Sequence, residues 1–234
     1  FDIERDPVKE PTMAEMTAGA LKALSQGSPN GFVLFVESEN TDTAGHTNDA
    51  ASLMHSLWAI DDAVKVALDF QRSAPDTLVI VAGDHETGGL SATYAQKDLS
   101  SMSSSNRFYT GDAQFKMLGG ITISLKTAAE KLGKKPSAEA LDALVAKHFP
   151  GFKLDSDLRE MILKQRTFER NHTYVVQNLL GRMVARQTGF YWGTGGHTGE
   201  PVLVGAAGPG ADLFRGYQDN TDFGKNLHRL IEAR

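Results

Sequence analysis

The sequence predicts an α/β fold: a parallel-rich central sheet with flanking helices, interrupted by a mostly helical insert. Three observations carry this expectation. Two wholly apolar runs of strand length, FVLFV at Phe32–Val36 and LVIVA at Leu78–Ala82, flank a long amphipathic stretch. A third apolar run, Val202–Ala207, arrives far downstream. Between the second and third, from about Thr93, the texture turns polar and then helical.

Taken in order, Thr12 to Glu15 is a T-x-x-E capping box after Pro11, and Met13, Met16, Ala20, Leu21 and Leu24 follow at helical spacing. SQGSPNG (Ser25 to Gly31) breaks that helix. Phe32–Val36 has no polar residue, as in a strand covered on both faces. Ala50, Leu53, Met54, Leu57, Ile60, Val64 and Ala67 mark a long amphipathic helix, ended by Ser73, Ala74 and Pro75. Leu78–Ala82 then completes strand, helix, strand, which predicts a right-handed βαβ unit and parallel pairing. DLSSMSSSN (Asp98 to Asn106) reads as a loop. Helices are expected after Ser137 (Leu141, Leu144, Val145), after Ser156 (Leu158, Met161, Ile162), and through Val176, Leu179, Leu180 and Met183. Val202–Ala207 is the last strand, Gly208 to Gly210 a turn, and Phe223 to Ile231 a terminal helix. The expected organisation is therefore residues 1–92 as the first part of the α/β core, 93–190 as an insert, and 191–234 as the final strand and helix.

Composition narrows the function. The chain has 24 basic and 29 acidic residues, a net charge of −5, without a dense basic cluster, so nucleic acid is not an expected partner. No apolar run approaches the ~20 residues of a membrane span, so no membrane partner is expected either. Without cysteine there is neither disulfide nor thiolate chemistry. The first residues, FDIERDPVKEP, have neither the basic start nor the apolar centre of a signal peptide and read like the middle of a protein.

Four polar groups fall beside the predicted strand ends: Glu37, then Asp42 with His46, then Asp84 with His85, and finally His197. In open α/β sheets ligands bind beyond the carboxyl ends of the strands. Asp42 and His46 are four apart, so one helical turn would point both the same way. Asp84 and His85 are adjacent and could share a site if the backbone turns, which Gly83, Gly88 and Gly89 permit. Three carboxylates and three imidazoles without sulfur suit zinc, or magnesium where oxygens dominate, in numbers enough for about two metals. Paired metals are a device of phosphoryl transfer. Each residue alone has a plainer reading: Glu37 as a solvated turn residue, Asp42 as a helix cap, Asp84–His85 as a turn, and His197 as part of a flexible GTGGHTG loop. His55, His148, His172 and His228 read as structural, and Asn171-His172-Thr173 is a glycosylation sequon of low specificity. A P-loop and a G-x-S-x-G elbow are both absent.

With these residues in view the sequence resembles the C-terminal half of a bacterial alkaline phosphatase. The resemblance rests on PTMAEMTAGAL, VES-x-x-x-D-x-x-x-H, VAGDHETGGLS, GGHTGEPV and DNTDFGKNL, and covers residues 1–92 and 191–234; the insert resembles that family's crown region only in location. It implies that Asp42, His46 and His197 bind a first zinc, Asp84 and His85 a second zinc, and Glu37 a magnesium ion. It further implies hydrolysis of phosphomonoesters through a phosphoserine, export to the periplasm or beyond the cell, and, as is common in the family, a homodimer. Two positions depart from the family: Ser38 and Glu39 follow Glu37 in place of glycine or alanine, and Thr43 replaces a Lys, His or Trp that reaches toward phosphate. The family's nucleophilic serine in a D-S-A motif, its phosphate-binding arginine and the remaining metal ligands are not in the 234 residues. The chain is therefore expected to lack a catalytic residue of its own, to partner the missing N-terminal half of the same protein, and to be inactive alone. Two other readings stand beside this one: a phosphodiesterase, sulfatase or mutase of the same superfamily, and a non-catalytic fold stabilised by metal.

Overall fold

The computed structural model describes residues 1–96, 107–166 and 174–232. The expected serine-rich loop, 98–106, falls wholly outside these residues, as do His172 and the Asn171 sequon. In chain order the elements are α1 (Met13–Gly27), α2 (Glu39–Thr47), α3 (Ala50–Ser73), β1 (Val79–Ala82), β2 (Glu86–Thr87), β3 (Ser91–Ala92), β4 (Tyr94–Gln96) and β5 (Arg107–Tyr109). They continue with α4 (Asp112–Gly119), α5 (Leu125–Leu132), α6 (Ala138–His148), α7 (Ser156–Leu163), α8 (Val175–Thr188), β6 (Phe190–Tyr191), β7 (His197–Thr198), β8 (Val204–Ala207) and α9 (Asn220–Glu232). The described residues form two compact bodies.

The first body comprises Phe1–Asp6, Ser38–Leu57 and Thr87–Thr198. The expected insert, 93–190, lies wholly inside it, together with α2 and the start of α3. Its axis is α8, whose buried residues Val176, Leu179, Leu180, Met183, Val184 and Ala185 leave little of the helix in water. Helices α4, α5 and α7 pack on it, and β3 pairs with β6, β4 with β5, both antiparallel. Phe149, Leu118, Ile123, Leu141, Leu158 and Ile162 are fully enclosed in the same continuous core. Ser137 caps α6 as expected, its hydroxyl accepting from Ala140 N at 3.1 Å.

Two carboxylates fasten this body. Asp49, 2% exposed, accepts from Ser52 N and Oγ at 3.0 and 2.7 Å and from Leu125 N at 2.6 Å, so one side chain serves the starts of α3 and α5. Burial pushes its carboxyl above the usual range, against the hydrogen bonds that lower it. Glu4 accepts from Ser124 N, Ser124 Oγ and Thr127 Oγ1 at 3.1, 2.8 and 2.6 Å, also at the start of α5.

The second body comprises Pro7–Glu37, Trp58–Glu86 and Gly199–Arg234. Helix α1 begins with the expected capping box: Glu15 N donates to Thr12 Oγ1 at 3.0 Å and Thr12 N to Glu15 Oε2 at 2.7 Å. Here β1 pairs antiparallel with β8, Val79 facing Ala207 and Ala82 facing Val204. Gln71 Nε2 at the end of α3 donates to Thr77 O and Ala207 O at 2.8 and 2.7 Å, which fastens the helix to the ladder. Buried residues are few: Thr17, Leu21, Ala63 and Phe214. Helix α9 buries no residue fully, although Phe223 meets Phe214 edge to face at 5.3 Å.

Three expectations are corrected by these elements. The apolar run 32–36 is not a strand; Val33 is 72% and Phe35 87% exposed. Composition marks a run that suits a strand, but a strand exists only when a neighbour takes its N–H and C=O groups, and among the described residues β1 pairs with β8 alone. For the same reason the parallel βαβ unit is not formed, and the β1–β8 ladder is antiparallel. The last strand starts at Val204, since Val202 and Leu203 lie outside the ladder.

Candidate metal centre

Helix α2 is built from ENTDTAGHT, which has almost no apolar residue. Tertiary contacts hold it: Ala44, Gly45 and Thr47 are buried, and its C-terminus closes on Asn48 in the left-handed conformation. The helix sets Asp42 and His46 on one face, as their spacing predicts, with His46 Nε2 3.3 Å from Asp42 Oδ2. His197, at the start of β7, brings its Nε2 to 3.4 Å from Asp42 Oδ1. The imidazoles of His46 and His197 lie 5.0 Å apart, centre to centre. One ligand atom from each of Asp42, His46 and His197 lies within 4.8 Å of the others.

Close packing and hydrogen bonds hold the three in place. Thr87 Oγ1 donates to Asp42 Oδ1 at 2.5 Å. His46 Nδ1 is 2.7 Å from Gly195 O. A carbonyl can only accept, so Nδ1 carries a proton, and Nε2, on the side of Asp42, is the nitrogen that could bind a metal. Gly88 N donates to Gly196 O at 2.9 Å, tying the segment after Thr87 to the loop before His197. Gly45 makes the contact of α2 with Thr87 attainable, because a Cβ there would stand 2.7 Å from Thr87 O and 2.8 Å from its Cγ2.

These donors suit zinc. Ligand atoms about 2.0–2.1 Å from a tetrahedral zinc stand about 3.3–3.4 Å apart. The His46 separation is measured from Asp42 Oδ2 and the His197 separation from Asp42 Oδ1, so the carboxylate turns one oxygen to each imidazole, and each pair taken singly is of that order. One carboxylate and two imidazoles, all partly open to solvent, leave a fourth position for water or substrate.

The other predicted ligands lie in the second body. Asp84 and His85 follow β1 and meet each other, His85 Nε2 3.3 Å from Asp84 Oδ2 and His85 N donating to Asp84 Oδ1 at 3.0 Å. Glu37 is exposed on the segment before α2. No second group of three or more convergent His, Cys, Asp or Glu atoms occurs among the described residues. Of the structural histidines, His148 Nδ1 meets Thr122 Oγ1 at 2.9 Å, and His228 reaches Glu232 across one turn of α9 at 3.2 Å. Glu39, without a role in the sequence, accepts from Thr43 Oγ1 at 2.6 Å.

Sequence reasoning missed Thr87 and Asn48. Thr87 stands within the quoted DHETGG motif, and its hydroxyl was the available signal.

Comparison with known proteins adds an independent line. The family model described as alkaline phosphatase matches residues 1–233. Alkaline phosphatase 3 of Bacillus subtilis is 27% identical over 223 residues, which cover 95% of this chain and 44% of that protein. The crystal structure of a cold-active alkaline phosphatase from the psychrophile Shewanella sp. superposes with a TM-score of 0.68 at 30% identity, over 94% of this chain and 50% of that one. For the Thermus thermophilus alkaline phosphatase the TM-score is 0.75 at 26% identity, over 93% and 46%. The chain thus spans about half the length of the relatives it matches.

Proposed function

We propose, on the premise that this chain belongs to the alkaline phosphatase family, that it supplies the metal-binding part of a phosphomonoester hydrolase. The observation that carries the reading is the convergence of Asp42, His46 and His197, one ligand atom of each lying within 4.8 Å of the others. Zinc held there supplies a Lewis acid for a phosphoryl oxygen and its water. The protein's part is preorganisation. Asp42 offers a carboxylate aimed by Thr87, His46 a lone pair fixed by its bond to Gly195 O, and His197 a third donor from a separate loop.

Asp84 and His85 are proposed as ligands of a second zinc and Glu37 as a ligand of magnesium, by their match to the family's motifs. Asp84 and His85 follow β1 after one intervening glycine and meet each other, His85 Nε2 3.3 Å from Asp84 Oδ2, which supports that reading. The serine that would take up phosphate, and the arginine that would hold it, are assigned to residues beyond these 234. The half-length match to relatives supports that assignment. By the same resemblance we place the parent protein in the periplasm or outside the cell. Among the described residues no helix is long and apolar enough to cross a membrane.

The test has two parts. The 234-residue chain should take up zinc, and should release no p-nitrophenol from p-nitrophenyl phosphate with zinc and magnesium present. Release would contradict the assignment of the nucleophile to another segment. A protein that includes that segment should cleave p-nitrophenyl phosphate faster than its bis-ester, and the reverse order would place it among diesterases.

A further inference from the structure

We propose that Asn48 is a positioning residue for the candidate zinc site: its carboxamide ties the end of α2 to the loop that carries His197. The proposal rests on the zinc reading of Asp42, His46 and His197. Asn48 ends α2 with φ 57° and ψ 40°, a left-handed turn that brings its side chain back toward the helix end. Its Nδ2 donates to Gly45 O at 3.1 Å and to Thr194 O at 2.8 Å, and its Oδ1 accepts from Asn178 Nδ2 on α8 at 2.5 Å. Two successive loop carbonyls are therefore held by side chains from the end of α2: Thr194 O by Asn48 and Gly195 O by His46. His197 follows two residues later. Helix α8 closes on the same point, since a Cβ at Gly181 would stand 2.6 Å from Asn48 O.

A helix terminator needs none of this. Left-handed backbone and the bonds of its own N–H suffice, and glycine supplies both. The bond to Thr194, 146 residues away in sequence, is additional to the cap. Its effect is to fix where one ligand stands relative to the other two. Asp42 and His46 take their mutual spacing from one turn of α2, whereas the place of His197 depends on the seating of its loop.

Asn48→Gly separates the two roles, because it keeps the left-handed backbone and deletes the carboxamide. The wild-type 234-residue chain, Asn48→Gly and Asn178→Ala would be titrated with zinc against a competing chelator, with Co²⁺ absorption reporting the ligand set and metal-free melting reporting the fold. Asn48→Gly should bind zinc about ten- to a hundredfold more weakly, as partners behind metal ligands typically do. Its Co²⁺ spectrum should change to that of a site held by fewer protein ligands. Asn178→Ala, which removes the support of the carboxamide but not its bond to Thr194, should show a smaller loss of the same kind. Zinc affinity within twofold of wild type in Asn48→Gly, or in Asn178→Ala if the first variant is unfolded, overturns the proposal. A wild-type chain that binds zinc no better than His197→Ala overturns the zinc reading itself, and the proposal with it.

Discussion

The two bodies of this chain are organised in opposite ways. The first encloses a continuous core around α8, and two of its three candidate ligands, Asp42 and His46, are held by hydrogen bonds to Thr87 and to Gly195 O. The second has four buried side chains among its described residues, a two-stranded ladder, and apolar residues such as Phe35 and Leu203 turned to solvent. Its candidate ligands Asp84 and Glu37 are exposed and His85 is half-buried, and among the described residues they belong to no group of three convergent ligand atoms. The contrast teaches that preorganisation of a polar site follows the packing beneath it. Asp42 and His46 on α2 meet His197 from a distant segment, because α2 packs on α8 and its end holds the loop before His197.

The sharpest way to break this contrast is to remove core volume. Leu180→Ala, in a fully enclosed position, should cost about 2–5 kcal/mol in urea unfolding. Phe35→Ser, on the second body, should stay within about 0.5 kcal/mol of wild type. Equal losses would mean that both bodies draw on one shared core.

Zinc should act on the first body to a lesser degree. At a hundredfold its dissociation constant it should raise stability by about 2.7 kcal/mol through mass action, and chelation should reverse that. His197→Ala should abolish the increment, while Asp84→Asn should leave it intact. An increment lost only in Asp84→Asn would move the site to the second body.

A smaller effect comes from acid. Burial raises the pKa of Glu4, but bonds from Thr127 and Ser124 outweigh it and hold the carboxyl below its ordinary value. The unfolded chain therefore binds the proton more readily. The contribution of Glu4 is present above the unfolded value and is lost as pH falls through the folded one. Glu4→Gln should flatten the acid side of a plot of melting temperature against pH by a few degrees, with little change at neutral pH beyond a constant offset. An unchanged acid limb would remove Glu4 from the fastening of α5.

Much of this organisation was legible in the residues. The Thr12–Glu15 capping box announced α1, and apolar spacing announced α3, α6, α7 and α8. Helix α2 was not visible as a helix, since its polar sequence shows no periodic face and its burial comes from contacts made by Thr87 and α8. Strand pairing was misjudged because an apolar run specifies a suitable surface and says nothing of which backbone will meet it. Asp42 and His46 were legible through a spacing of four, and His197 through its motif. Thr87 and Asn48 were not, because a hydroxyl or an amide gains such a role only from what lies across the fold.

Gly45 carries a consequence for how this sequence can change. A glycine inside an exposed helix is the usual target of stability engineering, since alanine there gains roughly 1 kcal/mol of helix propensity. At this position the first carbon of any side chain would meet the Thr87 backbone at 2.7 Å. The helix bearing two candidate ligands is thus closed to its most obvious improvement. Variation that tunes the site has to enter through the outer face of α2, at positions such as Glu39 and Thr43, or through the loop that it grips.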